Sequence, residues 1–159
     1  MKILMFGWEY PPHVYGGLAT ANYGITEGLH AHGNAEITLC LPKPFGDEDR
    51  TPANILAMNC VPIAWRDVNY DYVKDRVGHV MSPELYYQLR DHIYGDFNYM
   101  HVNGLGCMDF AGGYPSNLHE EINNYSVIAG VVARTLDFDI IHAHDWLTYP
   151  AGIHAKQVT

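Results

Sequence analysis

The sequence has few basic residues and no long apolar run. Each of these features argues against one class of protein. Nine Lys and Arg side chains stand against 18 Asp and Glu in 159 residues, which gives a net charge of −9. Because nucleic-acid affinity depends on clustered cations, no nucleic-acid partner is expected. No apolar stretch approaches the roughly 20 residues of a membrane span, so no membrane partner is expected either.

Cysteine is also scarce. The three cysteines, Cys40, Cys60 and Cys107, form an odd set without C-x-x-C spacing. This pattern predicts neither a disulfide framework nor a structural zinc site, and a reducing, cytoplasmic location fits it best. Since compact domains run to roughly 100 to 200 residues, the length allows one domain, or one domain with a long insertion.

The first forty residues have the pattern of a strand, a helix and a second strand. Residues 2–6 are an apolar run ending at Gly7, which is typical of a strand buried on both faces of a parallel sheet. A helix follows the loop, with Gly33 as its predicted stop. Residues 37–41 alternate with a period of two and predict the next strand. The predicted inner face of the helix consists of Leu18, Ala21, Ile25 and Leu29. This βαβ order predicts a parallel, Rossmann-like α/β sheet with flanking helices.

The middle of the chain, about 43–117, has a weaker pattern that prolines and glycines interrupt. We interpret it as an insertion into the sheet domain. Residues 60–65 predict a short strand. Ser82-Pro83-Glu84 has the N-cap and first-turn proline of a helix that would extend to about Ile93.

The pattern becomes regular again after the insertion. Asn117 and Glu120 have the spacing of a capping box, and the apolar residues from Leu118 to Leu136 step by three and four, which predicts a long helix. Residues 139–142 predict a further buried strand. Residues 146–158 predict a last helix, in which Pro150 is tolerable only near the first turn.

Two loops are candidates for chemistry, because ligands of open parallel sheets bind beyond the carboxyl ends of the strands. Gly16-Gly17 follows the first predicted strand, and glycines there let backbone N–H groups approach an anionic phosphate. A tight turn that packs the helix on the sheet explains the pair equally well. The sequence lacks the G-x-G-x-x-G and G-x-x-x-x-G-K-[ST] patterns, which argues against NAD and common ATPase sites.

The second loop is the segment 142–146, with the sequence HAHDW. One interpretation is a zinc site built from His142, His144 and Asp145 with a further ligand from His13, His119 or His154. A structural interpretation makes His142 a core imidazole and Asp145 a helix cap. In a third, His144 and Asp145 bind sugar hydroxyls and Trp146 adds an apolar face. This third interpretation requires the Gly-Gly loop and the HAHDW loop to meet at one edge of the sheet.

Three segments together resemble the N-terminal domain of the GT-B glycosyltransferases of the glycogen and starch synthase group. They are residues 1–12 (MKILMFGWEYPP), Gly16-Gly17-Leu18 and residues 142–146. The resemblance implies two Rossmann-like domains that face each other across a cleft. It implies transfer of a glucosyl unit from a nucleotide-sugar donor, ADP-glucose or UDP-glucose, to an α-glucan acceptor with retention, and with no metal ion or other cofactor. Residues 1–159 would be part of the N-terminal domain, and the C-terminal donor-binding domain would be absent from the chain.

The resemblance also implies the site residues. They are the catalytic residues His144 and Asp145 and the substrate-binding residues Glu9, Tyr15, Gly16, Gly17 and Trp146. The glycine pair would approach the donor diphosphate, and Glu9 would face a sugar. Val14 stands where bacterial glycogen synthases have a lysine, which leaves the donor base open.

Two other functions remain open at this stage. They are a non-catalytic carbohydrate- or nucleotide-binding module and a metal-dependent hydrolase that uses the His-x-His-Asp motif. Without the donor-binding domain, the chain alone is expected to be inactive as a transferase, since stabilisation of transition-state charge is usually the largest catalytic contribution. Self-association through an exposed apolar face, as a homo-oligomer, is a further expectation.

Overall fold

The computed structural model describes residues 1–64 and 105–159, and its centre is a four-stranded sheet in which every strand is parallel. The described strands are β1 (Lys2–Phe6), β2 (Glu36–Leu41), β3 (Asn54–Ala57), β4 (Ile63–Ala64), β5 (Leu105–Gly106) and β6 (Ile140–Ala143). The main sheet has the order β3-β2-β1-β6, and β4 and β5 form a separate antiparallel pair. The predicted Rossmann-like α/β fold is confirmed.

The described part of the chain also contains three α-helices and one 3₁₀ turn. They are α1 (Gly17–Ala31), a 3₁₀ turn (Met58–Cys60), α2 (Leu118–Thr135) and α3 (Tyr149–Val158). None of the described helices is long and apolar enough to cross a membrane. The helix predicted from Ser82-Pro83-Glu84 lies outside the described residues.

Strand β1 is buried on both faces, as its unbroken apolar run predicts. Its side chains divide alternately between two hydrophobic clusters, with Met5 in one and Phe6 in the other. The α1 crossover joins β1 to β2 in parallel, with Met5 opposite Leu39. The predicted stop of α1 is also confirmed, because Gly33 has a φ of 71°, a conformation that glycine adopts without strain.

The face of α1 that packs inward differs from the predicted one. Three residues of α1 are buried: Ala19, Asn22 and Thr26. Ile25, from the predicted face, is 36% exposed. The polar residues are buried because they bond the loop after β1: Asn22 Nδ2 donates to the Glu9 carbonyl at 2.9 Å, and Thr26 Oγ1 lies 2.8 Å from the Tyr10 hydroxyl. Apolar spacing alone therefore gave a face that is only partly correct, since Leu18 and Leu29 pack against the core whereas Ile25 is exposed.

Two expectations for the middle of the chain need correction. The range 43–117 contains β3, which pairs with β2 in the main sheet and which the sequence analysis missed. Four residues between Pro52 and Pro62 are too short a run to show a period. Of the strand predicted over residues 60–65, Cys60 lies in the 3₁₀ turn, Ile63 and Ala64 form β4, and residue 65 lies outside the described residues.

Helix α2 forms over the predicted span, but the capping box at its start does not. Asn117 is the N-cap residue, yet its side chain makes no capping hydrogen bond. Its carbonyl oxygen accepts the N–H groups of Glu120 and Glu121 at 2.9 and 3.2 Å. The Glu121 carboxylate instead accepts the Ala111 N–H at 2.8 Å. This end of α2 is thus tied to the segment that precedes it.

Strand β6 is present but is not the buried strand that its sequence predicts. Ile140 is 44% exposed, because β6 is an edge strand of the described sheet. A groove of about 660 Å³ runs between β6 and α3, and its lining includes Ile141, Ala143 and Ile153. An apolar run indicates that a strand is suited to burial on both faces. Whether the strand is buried depends on the strands and helices that pack beside it.

Candidate functional site

The two candidate loops meet at one edge of the sheet. β1 and β6 are adjacent parallel strands, with Phe6 opposite Ala143. The pairing continues past the end of β6, where the His144 N–H donates to the Phe6 carbonyl at 3.1 Å. The Gly-Gly loop leaves β1 and the HAHDW loop leaves β6 at their carboxyl ends. The required convergence is therefore present.

Glu9 fixes the conformation of the Gly-Gly loop. Its side chain is buried, with 5% exposed. Oε2 accepts the N–H groups of Tyr15 and Gly16 at 2.9 and 3.1 Å, and Oε1 accepts the Tyr114 hydroxyl. Both carboxylate oxygens are thus engaged by protein donors, so the group predicted to face a sugar faces the loop.

The fold by itself does not require the glycine pair. Gly16 has a φ of −164°, an extended conformation that any residue adopts. Among the described residues, a Cβ atom at Gly16 would come no closer than 3.9 Å to Glu9 Oε1, and one at Gly17 would meet nothing within 4 Å. Neither backbone angle nor helix packing explains these glycines. They leave open space beside the backbone instead, which suits close approach by a ligand.

His144 is a buried imidazole with an unused nitrogen. It is 8% exposed, and its Nε2 atom has no hydrogen-bond partner among the described residues. Its ring lies beside that of His142, with 4.2 Å between the centroids. Burial, together with His142, lowers the pKa of His144 to about 4. The imidazole is therefore neutral at pH 7, and its unpaired Nε2 atom is enclosed by the protein.

Acid should destabilise the protein through His144. The folded-state pKa of His144, about 4, lies below the ordinary histidine pKa of 6.5, so the unfolded chain takes up the proton more readily. Stability is therefore complete above pH 6.5 and falls as the pH decreases to 4, by about 1 to 3 kcal/mol. Urea unfolding at pH 7, 5.5 and 4.5 measures this loss. His144→Phe should weaken the pH dependence and His32→Gln, at an exposed position, should not. Equal slopes for the wild type and His144→Phe would contradict the assignment.

Asp145 forms a turn and does not cap α3. Its φ is 67°, in the left-handed region, and its Oδ1 atom accepts the Trp146 N–H at 2.6 Å. The N-cap residue of α3 is Thr148, whose hydroxyl donates to the His144 carbonyl at 2.7 Å. The structural interpretation of Asp145 as a helix cap is thus wrong. Its carboxylate lies exposed at the end of β6, and Trp146 beside it is 49% exposed.

Tyr114 contacts the Gly-Gly loop, and the sequence analysis missed it. Its hydroxyl donates to Glu9, and partial burial and the negative charges of Glu9 and then Asp145 raise the pKa of the phenol. The adjoining Gly113 carbonyl accepts the Trp8 indole N–H at 3.0 Å. The available signal was the turn sequence Gly-Gly-Tyr-Pro at residues 112–115. No local pattern relates that turn to a loop about 100 residues earlier.

The zinc interpretation gains no support from the structure. Within residues 1–64 and 105–159, the group of three side chains that could hold a metal ion is His13, Asp47 and Glu48, with ligand atoms within 4.8 Å of one another. The HAHDW segment does not contribute to it. His13 Nε2 lies 2.8 Å from Asp47 Oδ1, and Glu48 accepts two backbone N–H groups of its own loop. This cluster is satisfied by protein partners.

Comparison with known proteins identifies the family of the chain. The model of the starch synthase catalytic domain family matches residues 2–159. An uncharacterized glycosyltransferase of Methanocaldococcus jannaschii is 23% identical over 158 residues, which cover 99% of this chain and 28% of that protein. No solved structure gives a significant match. The family match extends over essentially the whole chain, and the chain therefore belongs to the starch synthase catalytic domain family of glycosyltransferases.

Proposed function

We propose that the chain forms the sugar-binding side of a retaining glucosyltransferase of the glycogen synthase type, which uses a nucleotide-glucose donor and an α-glucan acceptor. The observation that carries the proposal is the space at Gly17 that the described residues leave open, on the same sheet edge as the exposed carboxylate of Asp145 and as His144, whose buried Nε2 atom has no partner among those residues. Family membership supports the reaction class. The identity of glucose, retention and the glucan acceptor rest on the resemblance of the sequence motifs.

Each residue has a distinct proposed role. The Asp145 carboxylate accepts a hydrogen bond from a sugar hydroxyl, and neutral His144 exchanges one with another hydroxyl once its buried Nε2 atom becomes accessible. The negative charge of Asp145 matches a reaction in which positive charge develops at the sugar, since an anion nearby lowers the energy of that transition state. Tyr15 and Trp146, 59% and 49% exposed, provide apolar surface for a sugar face.

The test is transfer of labelled glucose to glycogen by the protein that the whole gene encodes. UDP-glucose and ADP-glucose are assayed separately, because the chain alone does not specify the base. We expect incorporation into glycogen from one of the two donors, and none by residues 1–159 alone. Absence of transfer from either donor by the whole protein would contradict the proposal, and turnover by residues 1–159 would contradict the need for a second domain.

A non-catalytic carbohydrate-binding module is the second candidate. The exposed aromatic side chains of Tyr15, Tyr114 and Trp146 favour it, because such rings hold sugars without any chemistry. The same assay separates the candidates, since a module would bind glycogen and leave the nucleotide-sugar intact. Cytoplasmic location and self-association remain predictions.

A further inference from the structure

Two of the three cysteines flank the β4–β5 pair on the same side. β4 and β5 are antiparallel, with Ile63 opposite Gly106. Cys107 directly follows β5, so continuation of this register brings it opposite Pro62, and Cys60 lies two residues before that proline. Residues two apart in an extended segment share a face. The register therefore makes Cys60 and Cys107 diagonal neighbours, a relation in which residues lie about 7 to 8 Å apart.

Buried methionines hold both cysteines against the same part of the core. Met58 comes two residues before Cys60, and Met108 directly follows Cys107. The methionine side chains are 0% and 1% exposed, and both belong to the hydrophobic cluster that includes the inner face of α2. Cys60 itself is exposed, and Cys107 is partly exposed. The two thiols are thus kept close together while remaining accessible to a reagent in solution.

The spacing of this pair is close to that of a disulfide. Disulfides join Cα atoms up to about 7 Å apart, so a shift of roughly 1 Å in the exposed turn brings the pair within range. Both cysteines are free thiols in the structure. We propose that Cys60 and Cys107 are a modification site, at which a small-molecule disulfide such as oxidised glutathione produces a reversible intramolecular bond. The odd cysteine count argues against a permanent disulfide framework but not against a reversible bond within one pair.

Burial gives the three thiols different roles. Cys60 is exposed, so its thiolate makes the first attack on oxidised glutathione. Partial burial, and then the neighbouring Cys60, raise the pKa of the Cys107 thiol. Cys107 therefore reacts second, when the mixed disulfide is held beside it. Burial in β2 raises the pKa of Cys40, which keeps that thiol protonated and unreactive.

The exchange balances with oxidised glutathione as the oxidant. The Cys60 thiolate bonds to one glutathione sulfur, the S–S bond of oxidised glutathione breaks, and one glutathione thiolate leaves. The Cys107 thiolate then attacks Cys60 Sγ, and the second glutathione leaves. The two protein thiols lose two electrons and two protons, which end on two molecules of reduced glutathione. Excess reduced glutathione reverses both steps.

The bond ties the 3₁₀ turn to the segment that reaches the candidate site. Residues 108–114 follow Cys107, and their last two residues contact the loop after β1. The Gly113 carbonyl accepts the Trp8 indole N–H at 3.0 Å, and the Tyr114 hydroxyl donates to Glu9. A covalent link at Cys107 restricts the open conformations of this segment. Oxidation is therefore expected to reduce its local opening.

The experiment equilibrates the chain of 159 residues with mixtures of reduced and oxidised glutathione at pH 7. The remaining thiols are alkylated, and the peptides are mapped by mass spectrometry. In excess oxidised glutathione we expect a cross-linked Cys60–Cys107 peptide, which disappears on return to excess reduced glutathione. Cys107→Ser should instead retain glutathione on Cys60, with at least about tenfold more mixed disulfide than the wild type.

Cys40→Ala is the matched control, because it removes a thiol that the proposed exchange does not use. It should form the Cys60–Cys107 bond to the same extent as the wild type. The inference is overturned if the wild type keeps both thiols, or if glutathione accumulates on Cys60 without the intramolecular bond. A bond that includes Cys40 or joins two chains would overturn it as well. If a variant does not fold, as judged by circular dichroism, the wild-type peptide map decides.

Hydrogen exchange tests the effect of the bond on residues 108–114. Their amides should exchange at least about threefold more slowly in the oxidised chain than in the reduced chain, whereas the amides of α3 should exchange equally in both. Equal rates over residues 108–114 would overturn the stabilising role of the bond. Neither measurement involves glucose transfer, so the inference and the proposed function can fail separately.

Discussion

Tyr125→Ala is expected to lower the free energy of unfolding by about 4 kcal/mol, since truncating a buried aromatic side chain leaves a large cavity. Tyr125 is fully buried in α2. Its ring makes edge contacts with Phe6, Trp8 and Phe110, at centroid distances of 6.0, 5.6 and 6.3 Å. Urea unfolding monitored by circular dichroism measures the loss.

The hydroxyl of Tyr125 contributes to stability separately from the ring. It lies 3.0 Å from the Gly7 carbonyl and 2.8 Å from the Cys40 carbonyl, and it links α2 to the ends of β1 and β2. Tyr125→Phe should therefore cost about 1 to 2 kcal/mol. Tyr149→Ala, at a residue that is 53% exposed, is the control and should cost less than about 1 kcal/mol. A similar loss of unfolding free energy for Tyr125→Ala and Tyr149→Ala would show that the contacts of Tyr125 do not stabilise the core.

Asp145→Asn is expected to lower kcat of the whole protein about a hundredfold while leaving its fold intact. Asparagine removes the negative charge that the proposed function requires near the reacting sugar. It also tolerates the left-handed backbone at this position, where φ is 67°. The measurement is the initial rate of glucose transfer to glycogen at saturating donor, together with the unfolding free energy.

Asp145→Gly separates the carboxylate from the turn. Glycine adopts a φ of 67° without strain, so the backbone should persist while the side chain and its bond to the Trp146 N–H are lost. We expect a loss of kcat at least as large as for Asp145→Asn. If both variants keep wild-type rates, Asp145 is only a turn residue, and the catalytic assignment is wrong.

Much of the fold could be predicted because strands and long helices have local periods. The run before Gly7 and the apolar steps of α2 gave the correct elements and, through the βαβ order, the parallel sheet. The inner face of α1 was predicted only in part, since Leu18 and Leu29 pack against the core but Ile25 is exposed. It depends on hydrogen bonds from Asn22 and Thr26 to the loop after β1, and these polar residues carry no apolar signal.

The candidate site also has a part that the sequence predicted and a part that it did not. The Gly-Gly and HAHDW motifs could be identified from the sequence because each is associated with the end of a predicted strand. Parallel pairing of β1 with β6 brings the two motifs to one edge of the sheet. The partners of Glu9 were not visible, since Tyr114 comes from a turn about 100 residues later. Whether a carboxylate faces a ligand or a backbone amide depends on a few ångströms of side-chain position, which residue spacing does not encode.

The sequence by itself therefore determined the fold class, the family and the two loops, because repeating local patterns and short motifs specify these. Only the tertiary structure decided that Glu9 binds amides of the Gly-Gly loop, that His144 Nε2 has no partner within the described part of the chain and that Asp145 lies exposed in a left-handed turn. The physical reason is that hydrogen-bond partners and burial arise from contacts between segments distant in the chain, and such contacts exist only once the chain has folded.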